Sequence, residues 1–253
     1  MLKNIVDSID EKLSSFDVIT LEEMSGIRLM NRIDTKFLVN VNQLPVLLDM
    51  ARKDYYVQEI GDLRKAFYRT LYYDTSEAEM YTVHQNGKLN RQKIRIREYV
   101  ESGLMFFEVK KKNNKGRTSK KRITVENEDV KSNQAAIDFL DEKSVYKMHE
   151  VDFRLRNSFF RITLVNREKS ERLTIDFDIN FENCVTGNKN TISKLCIVEV
   201  KQDGNAHSHF KDYLMSLRIK RRSVSKYCLG MVLTDPSIKY NRFKEKVRYI
   251  EKL

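Results

Sequence analysis

The stretch Lys93-Ile94-Arg95-Ile96-Arg97, with Phe106-Phe107-Glu108-Val109-Lys110 following it, decides how this chain is read. In a strand, successive side chains point to opposite faces, so Lys93, Arg95 and Arg97 share one face while Ile94 and Ile96 share the other. The second segment sets Glu108 and Lys110 together in the same way. The pattern recurs in Arg172-Leu173-Thr174-Ile175-Asp176-Phe177-Asp178-Ile179-Asn180-Phe181, and again in Cys196-Ile197-Val198-Glu199-Val200-Lys201. A single such strand is ordinary, because antiparallel sheets commonly wet one face. Repeated pairs of opposite and like charge in separate strands suggest a sheet curled around a charged interior. Such an interior suits a highly charged anion together with a metal cation.

The chain has 253 residues, enough for one large domain or two small ones. With 2 prolines, 8 glycines and no linker-like stretch, one domain over 1–253 is expected. Its core spans about 28–233, with an N-terminal helix (3–30) and a C-terminal helix (237–253) packed outside. A net charge of +11 implies an acidic partner: nucleic acid, anionic lipid, or a phosphorylated small molecule or polymer. The excess gathers in residues 110–122 and again in 218–222. Three widely spaced cysteines form neither a disulfide framework nor a zinc pattern. The first residues do not resemble a secretory signal, and no run of eighteen apolar residues occurs. The expectation is a soluble protein of a reducing cytoplasm, with no membrane segment.

Strands are predicted at 32–41, 55–60, 66–74, 91–100, 104–112, 119–126, 151–167, 171–181 and 194–202. Helices are predicted at 42–52, with Pro45 in the first turn, and at 76–86, 130–150, 207–233 and 237–253. Few helices separate the strands. The expected fold class is therefore mainly β with flanking helices (α+β), an antiparallel sheet rather than a doubly wound one.

An ordered series of short motifs resembles the VTC domain, the catalytic domain of the vacuolar transporter chaperone polyphosphate polymerases. That family sits among the triphosphate tunnel metalloenzymes, the CYTH-like superfamily. The series is Arg-Ile-Asp-Thr-Lys-Phe at 32–37, Leu-Tyr-Tyr-Asp at 71–74, Ile-Arg-Ile-Arg-Glu-Tyr at 94–99 and Phe-Glu-Val-Lys at 107–110. It continues with Thr-x-Lys-x-Arg at 118–122, Asn-Arg at 166–167, Arg-Leu-Thr-Ile-Asp-Phe-Asp at 172–178, Val-Glu-Val-Lys at 198–201 and Ser-Lys-Tyr at 225–227.

The resemblance implies an antiparallel β-barrel enclosing a charged tunnel for tri- or polyphosphate. It implies phosphate-gripping, catalytic roles for Lys36, Arg95, Arg97, Lys110, Lys120, Arg167, Arg172 and Lys226. Arg32, Arg122, Lys201 and Ser225 are expected as further substrate contacts, and Glu199 as the carboxylate holding Mn²⁺ or Mg²⁺. Asp176 and Asp178 are either further metal or water ligands or neutralisers of lumenal arginines. Arginine suits such a site because its planar fork matches phosphoryl oxygens, whereas lysine supplies point charge. A hard ion bridging phosphates takes carboxylate and water oxygens rather than His or Cys. Tunnel relatives open with Glu-x-Glu-x-Lys, but here Arg32-x-Asp34-x-Lys36 keeps one acid, which favours the polymerase branch.

The expected activity is transfer of the γ-phosphate of ATP to a growing inorganic polyphosphate chain. The alternatives are a tunnel-type tripolyphosphatase or nucleoside triphosphatase, and a non-catalytic polyphosphate- or nucleic-acid-binding module. Nucleic acid is not favoured, because aromatic residues are not interleaved with the basic loop and no binding motif is recognisable. His207-x-His209 reads as a surface motif at a helix start, and Lys115-Gly116-Arg117 lacks the spacing of a phosphate-cradling loop.

Overall fold

The alternating segments do pair with one another. In the computed structural model, which describes residues 2–25, 32–204 and 206–253, they form a sheet of eleven strands. These are β1 (Val18–Thr20), β2 (Arg32–Asn40), β3 (Tyr55–Glu59), β4 (Ala66–Asp74), β5 (Arg91–Tyr99) and β6 (Leu104–Lys112). β7 (Thr118–Val125), β8 (Asp152–Asn166), β9 (Glu171–Asn183), β10 (Lys189–Ile192) and β11 (Leu195–Asp203) follow. The helices are α1 (Leu2–Ser14), α2 (Leu21–Ser25), α3 (Leu44–Ala51), α4 (Glu79–Gln85), α5 (Gln134–Lys143), α6 (His209–Ser216), α7 (Lys226–Thr234) and α8 (Lys244–Glu251).

The main path runs β2-β11-β9-β8-β4-β5-β6-β7, antiparallel at every step. β10 adds to β9, β3 adds to β8, and β1 lies parallel to β3. The fold is therefore mainly antiparallel β with flanking helices, as in the triphosphate tunnel fold. No helix of the described residues is long and apolar enough to cross a membrane.

Two strands were not anticipated. The helix expected over 3–30 is broken after α1 by β1, whose β-branched Val18-Ile19-Thr20 suits an extended chain. Thr20 and Glu23 then start α2 by exchanging hydrogen bonds with each other's backbone N–H groups, at 2.9 and 3.2 Å. The part of that expectation covering 26–30 lies outside the described residues. β10 is short and polar at Lys189-Asn190-Thr191, so it carries little alternation to read.

Direct cross-strand partners share a face, so the register sorts the side chains. Apolar residues of β2, β11, β9 and β8 (Val39, Val198, Ile175, Ile162) meet α1, α3 and α6 on one side of the sheet. On that same side, Leu71, Ile94, Ile96, Phe107 and Val109 of β4, β5 and β6 meet α5. The opposite, concave face is divided. At one end Leu38, Leu155, Ile179, Phe181, Leu195 and Ile197 pack on Tyr227, Cys228 and Met231 of α7, with α8 behind them. The other end carries the charges.

The edge strands β2 and β7 do not pair with each other, so the expected closure of the barrel is not made by a backbone ladder. Each edge is protected in its own way. Residues 221–222 lie against β2, through a bridge between Phe37 and Arg221 and a bond from Arg222 N to Lys36 O at 2.8 Å. β7 is exposed and rich in Lys and Arg.

α7 reaches the sheet because residue 230 has no side chain. A Cβ there would stand 2.4 Å from Leu155 Cδ2 and 2.5 Å from Phe181 Cδ1. Alanine is the better helix former by about 1 kcal/mol, yet overpacking a filled core costs about 1–3 kcal/mol. Gly230→Ala should therefore lower the melting temperature by a few degrees in a thermal denaturation series. An unchanged or raised melting temperature would show that α7 is not seated as described.

Candidate active site

Three carboxylates on the charged half of the concave face are each held between two cations. Glu199 of β11 pairs with Lys36 of β2 directly across the ladder, and with Lys201 at 3.1 Å. Asp176 of β9 accepts a two-pronged contact from Arg161 of β8, Nε to Oδ1 at 2.5 Å and Nη2 to Oδ2 at 2.7 Å, and is also paired with Lys226. Glu108 of β6 meets Arg95 of β5 at 2.6 Å and Lys120 of β7 at 2.9 Å. Arg97, Lys93 and Lys110 share this face without a carboxylate of their own: Arg97 donates to Thr70 Oγ1 at 3.2 Å, and Lys93 to Ser225 Oγ at 2.6 Å. Positive charge is in clear excess.

The electrostatics show the sheet curling. β6 and β11 are separated by four strands along the sheet, yet Lys110 of β6 acts on Glu199 of β11 and on Lys36 of β2. Burial alone would raise the Glu199 carboxyl, but Lys201, Lys36 and Lys110 outweigh it and hold it well below the usual range. Glu108 is likewise held down, to about 2, because Arg95, Arg97 and Lys120 overcome its burial. Burial, together with Arg95, pushes Lys110 down to about 8. Burial and then Arg95 and Arg161 make the Arg97 cation costly, although a guanidinium keeps its proton at any physiological pH.

Aromatic rings mark the border with the apolar half. Tyr68 and Phe159 stack at 5.5 Å, and Arg161, Arg97 and Lys226 lie over these rings. α7 begins there. Its cap Ser225 accepts from Cys228 N at 3.2 Å and so places its own hydroxyl and Lys226 at the lumen.

Most of the residues singled out in the sequence thus converge. Lys36, Arg95, Arg97, Lys110, Lys120, Lys201, Lys226, Ser225, Asp176 and Glu199 share the concave face, and Arg172 joins it as the partner of Lys201. Arg122 also faces this side but is exposed, lying over the Phe106 ring at 4.0 Å. Arg32 opens β2, and its side chain lies outside the described residues.

Two placements correct the sequence reading. Arg167 sits at the far end of β8, where it pairs with Asp17 at 2.7 Å, donates to Lys53 O at 3.2 Å and covers the Tyr56 ring. The strand ends before Arg167 can reach the carboxylates. Asp178 does not share a face with Asp176, because it adopts a left-handed backbone (φ +50°) in a bulge where two residues stand opposite Phe159. Beyond the bulge Ile179 and Phe181 take the concave positions.

Arg161 was missed. Its signal was present, since Arg161 and Thr163 alternate within a recognised strand, but the Arg-x-x-x-x-x-Arg interval to Arg167 does not say which of the two stands beside Asp176. Lys93 was seen on the right face but not as a site residue.

The three carboxylates are not equivalent. Glu108 is fully buried and Asp176 is 4% exposed, each gripped by an arginine; Glu199 is 18% exposed and gripped only by lysines. Point charges on flexible stems yield to another cation more readily than a planar fork does. Both oxygens of Glu199 are engaged, as are those of Asp176, but its two partners are ammonium groups, so of these three it is the carboxylate that could exchange a cation for a hard divalent ion. Among the described residues no group of three potential ligands gathers on this face, so such an ion would complete its shell with phosphate oxygens and water. A separate cavity of about 480 Å³, lined by Arg69, Glu98, Arg156, Ser158, Asn180 and Thr191, lies on the other face of the sheet.

No curated protein sequence shows significant similarity to the chain. Among solved structures, a candidate adenylate cyclase from Bacillus halodurans is similar with a TM-score of 0.50 and 16% identity, over 78% of this chain and 96% of that one. A candidate adenylyl cyclase from Hippeastrum, described as having a dominant triphosphatase activity, is similar with a TM-score of 0.51 and 16% identity, over 80% of this chain and 96% of that one. At such identity the likeness concerns the fold. The sequence itself matches the VTC domain model over residues 31–234, and with the tunnel-like fold and lumenal charges in place, the chain belongs to the VTC domain family.

Proposed function

We propose that this chain, acting as one domain over 1–253, is a metal-dependent polyphosphate polymerase that moves the γ-phosphate of ATP onto a growing inorganic polyphosphate chain and releases ADP. The observation that carries this reading is the cation-rich concave face with one displaceable carboxylate, Glu199, in a VTC domain. Lys36, Arg95, Arg97, Lys110, Lys120, Arg161, Arg172, Lys201 and Lys226 would grip the phosphates, with the Ser225 hydroxyl beside them. Glu199 would hold Mn²⁺ or Mg²⁺, whose charge would help offset that of the phosphates. The terminal oxygen of the acceptor chain is already anionic, so attack on the γ-phosphorus needs no base. That suits a lumen whose carboxylates are held low and paired. The protein's part is alignment and charge compensation. The free cysteines fit a reducing, ATP-containing cytoplasm.

Hydrolysis of tripolyphosphate or nucleoside triphosphates is the second reading. The triphosphatase activity described for the Hippeastrum structure supports it. Incubation with ATP and Mn²⁺, followed by sizing of the products on a gel, separates the two: a phosphate polymer supports transfer, and orthophosphate alone supports hydrolysis.

Glu199→Gln removes the charge a divalent ion needs while keeping the shape. Turnover should be abolished with tripolyphosphate binding retained; full activity in the variant, or activity unaffected by EDTA, would exclude Glu199 as ligand. Arg161→Lys keeps the charge but loses the fork on Asp176. Turnover should fall about ten-fold or more, the loss of one charge-assisted hydrogen bond of about 1.5 kcal/mol. Arg167→Lys should change turnover little, and equal effects would restore Arg167 to the site.

The lowered Lys110 also sets a pH dependence. A bound polyanion stabilises its protonated form and raises its pKa, so protons are taken up on binding near pH 8 and affinity falls as pH rises from about 7 to 9. Calorimetric titration of tripolyphosphate at pH 8 in buffers of differing ionisation enthalpy should report more proton uptake by the wild type than by Lys110→Arg, since the titration of the ligand, Lys201 and Lys226 is common to both. Equal uptake by the two would contradict it.

A further inference from the structure

One cluster of ligating side chains takes no part in the lumen. Where β11 gives way to α6, Ser208 caps the helix by accepting from Lys211 N at 3.2 Å. This cap places His207 just before the helix and His209 and Asp212 on its first turn. His207 Nε2 lies 2.6 Å from Asp212 Oδ2, and the two imidazole rings meet edge to face at 4.9 Å. One donor atom from each of the three lies within 4.8 Å of the others. Asp212 is half-buried and both histidines are exposed, so their rings are free to turn toward a common centre.

Beneath this turn lies an unexplained carboxylate. Glu171 is 1% exposed and accepts from Tyr55 OH through Oε1 at 2.6 Å, and Tyr55 OH in turn accepts from Phe210 N at 3.0 Å. The other oxygen, Oε2, makes no well-formed hydrogen bond, although the Ser208 hydroxyl, like Tyr55, acts on this carboxylate. His209 and Lys211 are among the charges that act on Glu171. A metal-bound imidazole commonly passes its remaining N–H to a carboxylate, and Glu171, on which the charge of His209 acts, is a buried carboxylate under the same turn.

We propose that His207, His209 and Asp212 form a second metal site, for a borderline transition ion of the Zn²⁺ class, distinct from the hard-ion chemistry of the lumen. Two imidazole nitrogens and one carboxylate oxygen are a zinc-type donor set, with ligands about 2.0–2.2 Å from the ion and a fourth position for water. Mg²⁺ and Ca²⁺ prefer oxygen alone and would not select this cluster. The ion would fasten the turn that follows β11. Gln202, near the end of that strand, already accepts from Lys211 and donates to Ala206 O, so the turn is tied to the strand bearing Glu199 and Lys201. The role is structural and independent of the reaction assigned to the lumen.

The test uses the full chain, stripped with EDTA and titrated with Zn²⁺ against a chromophoric chelator. One ion per chain should bind, and Zn²⁺ should raise the melting temperature. The double variant His207→Ala/His209→Ala should lose this binding while melting like the wild type in EDTA, showing that ligands and not the fold were lost. Glu199→Gln should bind Zn²⁺ as the wild type does, and Glu171→Gln should bind it about 10-fold more weakly. No binding by the wild type, or undiminished binding by the double variant, would overturn the proposal.

Discussion

Compensation of buried charge is the constraint on which this structure depends. Taking a carboxylate or an ammonium out of water costs several kcal/mol even after relaxation, and that cost is recovered only with well-placed partners. Glu108 and Asp176 meet this condition through Arg95 and Arg161, whose forks fix their geometry. Cations remain in excess around Arg97, Lys93 and Lys110, and burial first, then the neighbouring cations, pushes each of the three below its ordinary value. The polyanion proposed as substrate would offset that excess of charge.

The apolar half of the concave face supports the charged half. α7 packs on it at close range, which Gly230 permits, and its capped start delivers Ser225 and Lys226 to the border. The bulge at Asp178 makes the division possible: by changing the parity of β9 it lets one strand present Thr174 and Asp176 to the lumen and Ile179 and Phe181 to the helix. The stacked Tyr68 and Phe159 then give the cations a polarisable floor. Without the bulge, charged residues would have been driven under α7, where nothing could pair with them.

Much of this was legible in the chain. A period of two is a local property, so the charged faces of β5, β6, β9 and β11 could be read without knowing their partners, and the ordered motifs named the family before any geometry was seen. Exceptions to the period escaped. Asp178 looks like a continuation of Asp176 because a bulge depends on the facing strand, and Arg167 looks like a lumenal arginine because a sequence does not show where β8 runs past the charged face. Arg161 stood in plain alternation and was passed over for the same reason.

The sequence by itself determined the mainly antiparallel architecture, the excess of positive charge on one face and the family, since each rests on alternation, composition or motif order along the chain. Only the tertiary structure decided which cation clamps which carboxylate, that Glu199 is the partly exposed and lysine-held one of the three, that β2 and β7 do not pair with each other, and that α7 covers the apolar part of the concave face. Those outcomes depend on distances between residues far apart in sequence. Coulombic and packing energies act through space, and no local pattern encodes which distant side chains will share it.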